Sequence, residues 1–241
     1  TLSLINYCDP KFITTSCYEN KDEVYKKYGA NLVENNIQMI QSKNCTNIHF
    51  GIDACKLIEH FPDRKFQRII FMFPHVGGKS NLRKNRLLIE NFFQSVKKVI
   101  KFDITKDFNL FVNQKIVDLS KQSSIYVTLA KGQGGTGFEE EINKRFNKDS
   151  WQVNELAQNQ GLILTECSKL CEEKFEHYKS TGFRSQGKSF RTKSGLIHKF
   201  ELSLDHDNLE FFLNNSHIHM SYFLNKYIKL CNFFIQNEIH Y

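Results

Sequence analysis

The stretch "RIIFMFPHVGGKSNLRKNR", residues 68–86, decides how the chain is read. Five apolar residues run from Ile69 to Phe73. They stop at Pro74 and give way to His75, two glycines and a basic segment. A short, continuous apolar run closed by Pro and Gly reads as a strand covered on both faces, the kind found in parallel sheets. The basic segment leads into "NLRKNRLLIENFFQSVKKVI" (81–100), the clearest helix of the chain. Leu88, Phe92, Val96 and Val99 form one apolar stripe, with Ile89, Phe93 and Ile100 beside it. Lys97, Lys98 and Lys101 stand at its C-terminal end, where the helix dipole favours cations.

Outward from this unit the pattern alternates. Upstream, "KFITTSCY" (11–18) reads as a strand. Residues 20–44 read as a helical stretch opened by a capping box of Asn20 and Glu23. "NIHFGIDACKL" (47–57) reads as a strand ending near Asp53. Downstream, "SSIYVTLA" (123–130) is a strand followed by the glycine-rich "KGQGGTG". "SWQVNELAQNQ" (150–160) is a short helix, "GLILTEC" (161–167) a strand, and "KSFRTKSGLIHKFEL" (188–202) a hairpin or final strand. Residues 103–121 have no clean period and read as an insertion. Strands alternating with helices imply an α/β fold, a mostly parallel sheet with helices on both faces and an antiparallel hairpin at its C-terminal end. The expected division is one domain over 1–202, then a helical tail or linker over 203–241.

Bulk properties narrow the class. The chain has 241 residues, 40% hydrophobic and 24% charged, with 22 Phe and 3 Pro, values of an ordinary globular protein. No run of about 18 apolar residues is present, so no membrane span is expected. The seven Cys are odd in number and several sit in apolar runs, which suits reduced thiols in an intracellular protein. Cys167, Cys171 and His177 lack a fourth ligand, and no metal site is expected. The first residue is Thr1, and the sequence is read as a fragment.

In parallel sheets ligands lie beyond the carboxyl ends of the strands. Glu19, Asp53 and the Gly77–Gly78 pair follow successive strands. A nucleoside crossing such a sheet needs acidic acceptors for ribose hydroxyls and small residues where backbone meets ligand. The plain alternative is that both acids cap helices. "GQGGTG" lacks the Lys-Ser/Thr that closes a Walker loop, so it is either a loop over a substrate or a tight turn. His75 is either a structural histidine or a catalyst. Lys79, Arg83, Lys84 and Arg86 oppose the dipole of the helix they open, a cost that an anionic partner such as RNA would offset. The net charge of +7 is compatible with that partner without demanding it. In "YKSTGFRSQGKSF" (178–190), Lys179, Arg184 and Lys188 interleave with Tyr178, Phe183 and Phe190. This pattern suits single-stranded RNA, or equally a hairpin with solvated charges.

Four segments in this order, "FPHVGGKSNLRKNRLLIENFFQS", "VTLAKGQGGT", "SWQVNELAQNQGLIL" and "YKSTGFRSQGKSF", resemble the S-adenosylmethionine-dependent rRNA (uridine-N3) methyltransferases. The nearest likeness is to the branch of ferredoxin-fold anticodon-binding-domain-containing proteins, over roughly residues 1 to 200. The resemblance implies a Rossmann-like methyltransferase sheet and S-adenosyl-L-methionine as cofactor. It implies that Glu19 and Asp53 contact that cofactor, and that Phe73, Pro74 and His75 stand beside the methyl-transfer site, with His75 as the base. RNA, and rRNA in particular, is the implied partner, through Lys79, Arg83, Arg86, Arg184 and Lys188. Cytoplasm or nucleolus is the expected location. The family's first strand and its Gly-Glu-Gly-Asn-Phe loop have no counterpart here, and "TLSLI" resembles the helix that follows them. Weak cofactor binding by these 241 residues alone is therefore expected. The functional alternatives are a non-catalytic RNA-binding or assembly module on a degenerate methyltransferase fold, and a different nucleotide-binding enzyme.

Overall fold

The computed structural model describes residues 1–77, 81–102, 123–136, 147–175, 178, 192 and 194–203. Six strands are seen among them: β1 (Thr14–Ser16), β2 (Asn47–His49), β3 (Arg68–Met72), β4 (Ser124–Leu129), β5 (Leu162–Lys169) and β6 (Leu196–Leu202). The helices are α1 (Leu2–Ile5), α2 (Lys21–Tyr28), α3 (Ala30–Ser42), α4 (Leu57–His60), α5 (Leu82–Val99) and α6 (Val153–Gln158). β1 and β2 pair in parallel as a two-stranded sheet, and the other four form a second sheet in the order β3-β4-β6-β5. β3 runs parallel to β4, while β6 lies antiparallel between β4 and β5. The class is α/β, with parallel pairs and one reversed strand near the C-terminal end. The antiparallel partners of β6 are thus β4 and β5.

Two elements differ from the sequence reading. The stretch 20–44 is two helices, because Gly29 breaks it at φ 89, a conformation that costs glycine little. The capping box at the start is present: Glu23 N–H donates to Asn20 Oδ1 at 2.9 Å and Asn20 N–H donates to Glu23 Oε2 at 3.0 Å. Among the described residues β3 is covered on one face only. Ile69 and Phe71 pack on the core, but Ile70 and Met72 are 43% and 38% exposed. Side chains alternate across a strand, and α5 covers one face only. Among the described residues β3 is also an edge strand, paired with β4 alone.

α5 organises the core. Ile89, Phe92, Phe93, Val96 and Val99 are all buried, and each contributes about 2 kcal/mol by leaving water. Phe92 meets Phe71 of β3 at a ring separation of 4.5 Å, and Phe93 meets Phe200 of β6 edge-on at 5.0 Å. Trp151, Val153, Ala157 and Leu162 complete the same cluster. On its other flank α5 carries the turn after β2: the Ser95 hydroxyl accepts from Leu57 N–H at 2.7 Å. The Cys55 thiol donates to the Leu88 carbonyl. α5 thereby ties the tip of β2 to the tip of β3.

Candidate functional site

The corner after β3 is shaped by its backbone. Phe73 N–H still donates to the Thr128 carbonyl, extending the β3–β4 ladder by one residue. Its φ is then 47, a left-handed value rare for an aromatic residue. The turn sends the Phe73 ring toward Gly195, before β6: a Cβ placed on Gly195 would lie 2.9 Å from Phe73 Cζ. Pro74 is buried behind it. Val76 N–H donates to Asn85 Oδ1 at 3.0 Å, and Asn85, on the first turn of α5, is almost fully buried.

Within this corner Gly77 N–H donates to His75 Nδ1 at 2.7 Å. An accepting Nδ1 carries no proton, so the neutral ring bears its hydrogen on Nε2. Burial lowers the His75 pKa and favours this neutral form. In this tautomer Nε2 carries the ring's hydrogen. Nδ1, the lone pair that a base would use, is engaged by Gly77 N–H in this structure.

Trp151 is 3% exposed, and its ring lies 6.0 Å from that of His75. Trp151 N–H donates to the Gln133 carbonyl at 2.6 Å, and Val153 N–H to the Gly134 carbonyl at 3.1 Å. The glycine-rich segment after β4 is thus strapped to the turn before α6. Gln133 Oε1 accepts from Ala130 N–H and folds the segment back on itself. The segment is a compact turn, with Gly132 and Gly135 at φ 80 and 75.

Glu19 and Asp53 follow adjacent parallel strands. Gly51 N–H donates to the Glu19 carbonyl at 2.9 Å, which joins the two tips. β2 ends at His49, earlier than expected, because Gly51 turns the chain at φ 70. Asp53 then caps the short turn Ala54–Lys56, its Oδ1 accepting from Cys55 N–H at 2.8 Å. Glu19 Oε1 is paired with Lys27 Nζ at 2.5 Å. Burial opposes its ionisation, but the Lys27 ammonium outweighs this and holds the pKa below the ordinary value. Each acid gives one carboxylate oxygen to the fold and has a second with which to accept from a hydroxyl. Gly51 leaves the space beside them open, with no atom within 4 Å of a notional Cβ. These groups fit a ribose-bearing cofactor, which would be held by Glu19, Asp53 and the Gly51 backbone.

The Asp53 turn attaches to α5 at Leu88, and the His75 corner attaches at Asn85. Three residues of helix separate these anchors, about 4.5 Å along the axis. The turn that Asp53 caps and the corner that holds Phe73, Pro74 and His75 are thus both anchored to the N-terminal half of α5, and Glu19 is joined to the first of these through Gly51 N–H. The basic residues fare differently. Lys79, Arg184 and Lys188 lie outside the described residues, and Arg83 is exposed on α5. Arg86 is turned inward: its Nε and Nη2 donate to the Ser150 carbonyl at 3.0 and 2.6 Å, and Nη2 donates to the Lys148 carbonyl at 2.7 Å. It brackets two segments, and its guanidinium is engaged by backbone carbonyls. Trp151, Gln133, Asn85 and Gly195 were not anticipated. Asn85 had a signal: it occupies the apolar stripe of α5, four residues before Ile89 and seven before Phe92.

Residues 1–182 match the family described as BMT5-like, rRNA (uridine-N3-)-methyltransferase BTM5-like. The chain is 32% identical over 194 residues to a human ferredoxin-fold anticodon-binding domain-containing protein 1, covering 80% of this chain and 27% of that one. It is 28% identical over 207 residues to the 25S rRNA (uridine(2634)-N(3))-methyltransferase of Saccharomyces cerevisiae, covering 72% of this chain and 59% of that one. The chain therefore spans between about a quarter and three-fifths of the length of these relatives. Among solved structures it is similar to an S-adenosylmethionine-dependent methyltransferase from Clostridium acetobutylicum. That likeness has 10% identity and a TM-score of 0.40, covering 83% of this chain and 79% of the other. With the family match running through both strand-tip acids, the His75 corner and the Trp151 turn, the chain belongs to the BMT5-like rRNA (uridine-N3-)-methyltransferase family.

Proposed function

We propose that the chain forms the catalytic body of an S-adenosyl-L-methionine-dependent RNA base methyltransferase acting on N3 of a uridine in rRNA. One observation supports the reading: the turn capped by Asp53 and the His75 corner are anchored three residues apart on α5, and Gly51 N–H joins the Glu19 tip to the Asp53 side. A nucleoside-bearing donor and a target base would meet there. The cofactor, when bound, supplies an electrophilic methyl group. Glu19 and Asp53 bind its ribose hydroxyls through carboxylate oxygens, and the open backbone at Gly51 lets the ligand approach closely.

The N3 proton of uridine passes to solvent water before or as the nitrogen attacks the methyl group, whose bond to the cofactor sulfur breaks and leaves a neutral thioether. Departure of the proton puts negative charge on the carbonyl oxygens flanking N3. A preorganised donor beside such an oxygen stabilises that charge and lowers the barrier. His75 Nε2–H is the donor in the required neutral form, held there by Gly77. The buried Trp151 ring lies 6.0 Å from the imidazole and shields part of it from water. The target base must be unstacked to reach this corner, which favours a loop or single strand.

The test joins calorimetric titration of S-adenosyl-L-methionine into the protein with mass spectrometry of rRNA treated with protein and labelled cofactor. Cofactor binding weakened by Glu19→Gln and Asp53→Asn, and a methyl group on uridine N3, are expected. Cofactor affinity indifferent to both substitutions, or methylation at another atom, would overturn the reading.

A further inference from the structure

Arg86 stands in the second turn of α5, where a cation opposes the helix dipole. The structure supplies the compensation. Three hydrogen bonds fix the planar guanidinium on two carbonyls, those of Lys148 and Ser150. A planar fork makes such a clamp and a single ammonium does not. Ser150 is fully buried, and the next residue is Trp151. Trp151 is bonded in turn to Gln133, and Val153 to Gly134, so the glycine-rich turn is anchored to the clamped segment. The neighbouring Asn85 performs the matching task on the other side, holding Val76 next to His75. Two consecutive residues of α5 thus grip the two strand-tip segments that place the His75 and Trp151 rings together.

We propose that Arg86 is a positioning residue: by clamping the Lys148 and Ser150 carbonyls it sets the Trp151 ring against His75, and so fixes the wall on which the target base is aligned. The inference rests on the proposed function for its consequence in catalysis, but not for its effect on Trp151. A side chain acting this way changes the alignment of reacting groups more than the binding of RNA. A misplacement of about 1 Å in such a site costs about 100-fold in rate.

Trp151 is the chain's single tryptophan, so its emission reports on this site alone. The experiment compares Arg86→Gln and Arg86→Lys with the unsubstituted protein by Trp151 emission, acrylamide quenching and steady-state methylation. Both variants are expected to shift emission to longer wavelength and to increase quenching. Turnover should fall about 10- to 100-fold, with the KM for RNA changed by less than about threefold. Failure of Arg86→Lys to restore kcat would support the fork. A direct phosphate contact predicts the opposite: unchanged emission, a raised KM and a shallower salt dependence of binding. That result, or unaltered turnover beside shifted emission, would overturn the proposal. Should Arg86→Gln fail to fold, Arg86→Lys, which keeps the charge and the aliphatic stem, gives the same decision. If the unsubstituted protein transfers no methyl group, the proposed function is what fails, and the emission of Trp151 still decides whether Arg86 positions the ring.

Discussion

His198 is fully buried on β6, and its Nδ1 lies 3.2 Å from the Val127 carbonyl. Burial drives its pKa down to about 4, partly opposed by backbone hydrogen bonds from the ring. In the unfolded chain the imidazole titrates at the ordinary 6.5. The unfolded state therefore binds a proton that the folded state refuses, and stability falls as the solution is acidified through this interval. The loss begins near pH 6.5, grows as pH falls and levels off below about pH 4. At 1.36 kcal/mol per unit of pKa, the interval corresponds to about 3 kcal/mol. His198→Asn keeps a side-chain N–H near Nδ1 and cannot titrate in this range. Urea unfolding of both proteins, followed by circular dichroism at several pH values, isolates the effect, since other titrating groups cancel in the difference. His198→Asn should cost stability at about pH 7.5, where the imidazole fills its space. That deficit should shrink by about 3 kcal/mol on going to about pH 4. A deficit constant to within about 0.5 kcal/mol across the range would refute a buried neutral His198.

Other perturbations have equally definite outcomes. Gly195→Ala drives a methyl group into the Phe73 ring and should cost about 1–3 kcal/mol by thermal unfolding; a Gly195→Ala/Phe73→Leu double variant should recover part of the loss. Asn20→Ala removes the cap of α2 and should cost about 1 kcal/mol by the same measurement. His75→Ala should lower methylation and shift its pH–rate profile upward, because the uridine N3 proton then leaves without a donor to hold the charge; an unshifted profile would remove His75 from the chemistry. Burial, with Asp53 beside it, pushes the Cys55 thiol up to about 11, so alkylation followed by mass spectrometry should modify exposed Cys8 well before Cys55.

Much of the frame was legible in the residues because periodicity is a local property. The stripe through Phe92, Val96 and Val99 is the buried face of α5, and the Asn20–Glu23 pair is the capping box it resembled. The exposure of β3 was hidden because hydrophobicity alone does not say which layers a sheet possesses. Ile70 and Met72 look the same in sequence whether covered or bare. The site divided in the same way. The acids at the tips of β1 and β2 follow from strand order. The partners of Arg86 lie 62 and 64 residues away, and no local pattern connects them. Likewise, the tautomer of His75 depends on one backbone N–H aimed at Nδ1, which composition does not record.

The place of β6 has a consequence for biosynthesis. The last strand of the described sheet is inserted between two earlier ones, so β5 has no ladder partner there until β6 emerges. A nascent chain halted before Leu196 would carry β4 and β5 with their facing edges bare, an invitation to intermolecular pairing. Completion of this sheet thus waits for β6 to be synthesised, and a truncation that removes β6 should yield aggregates rather than a smaller soluble protein.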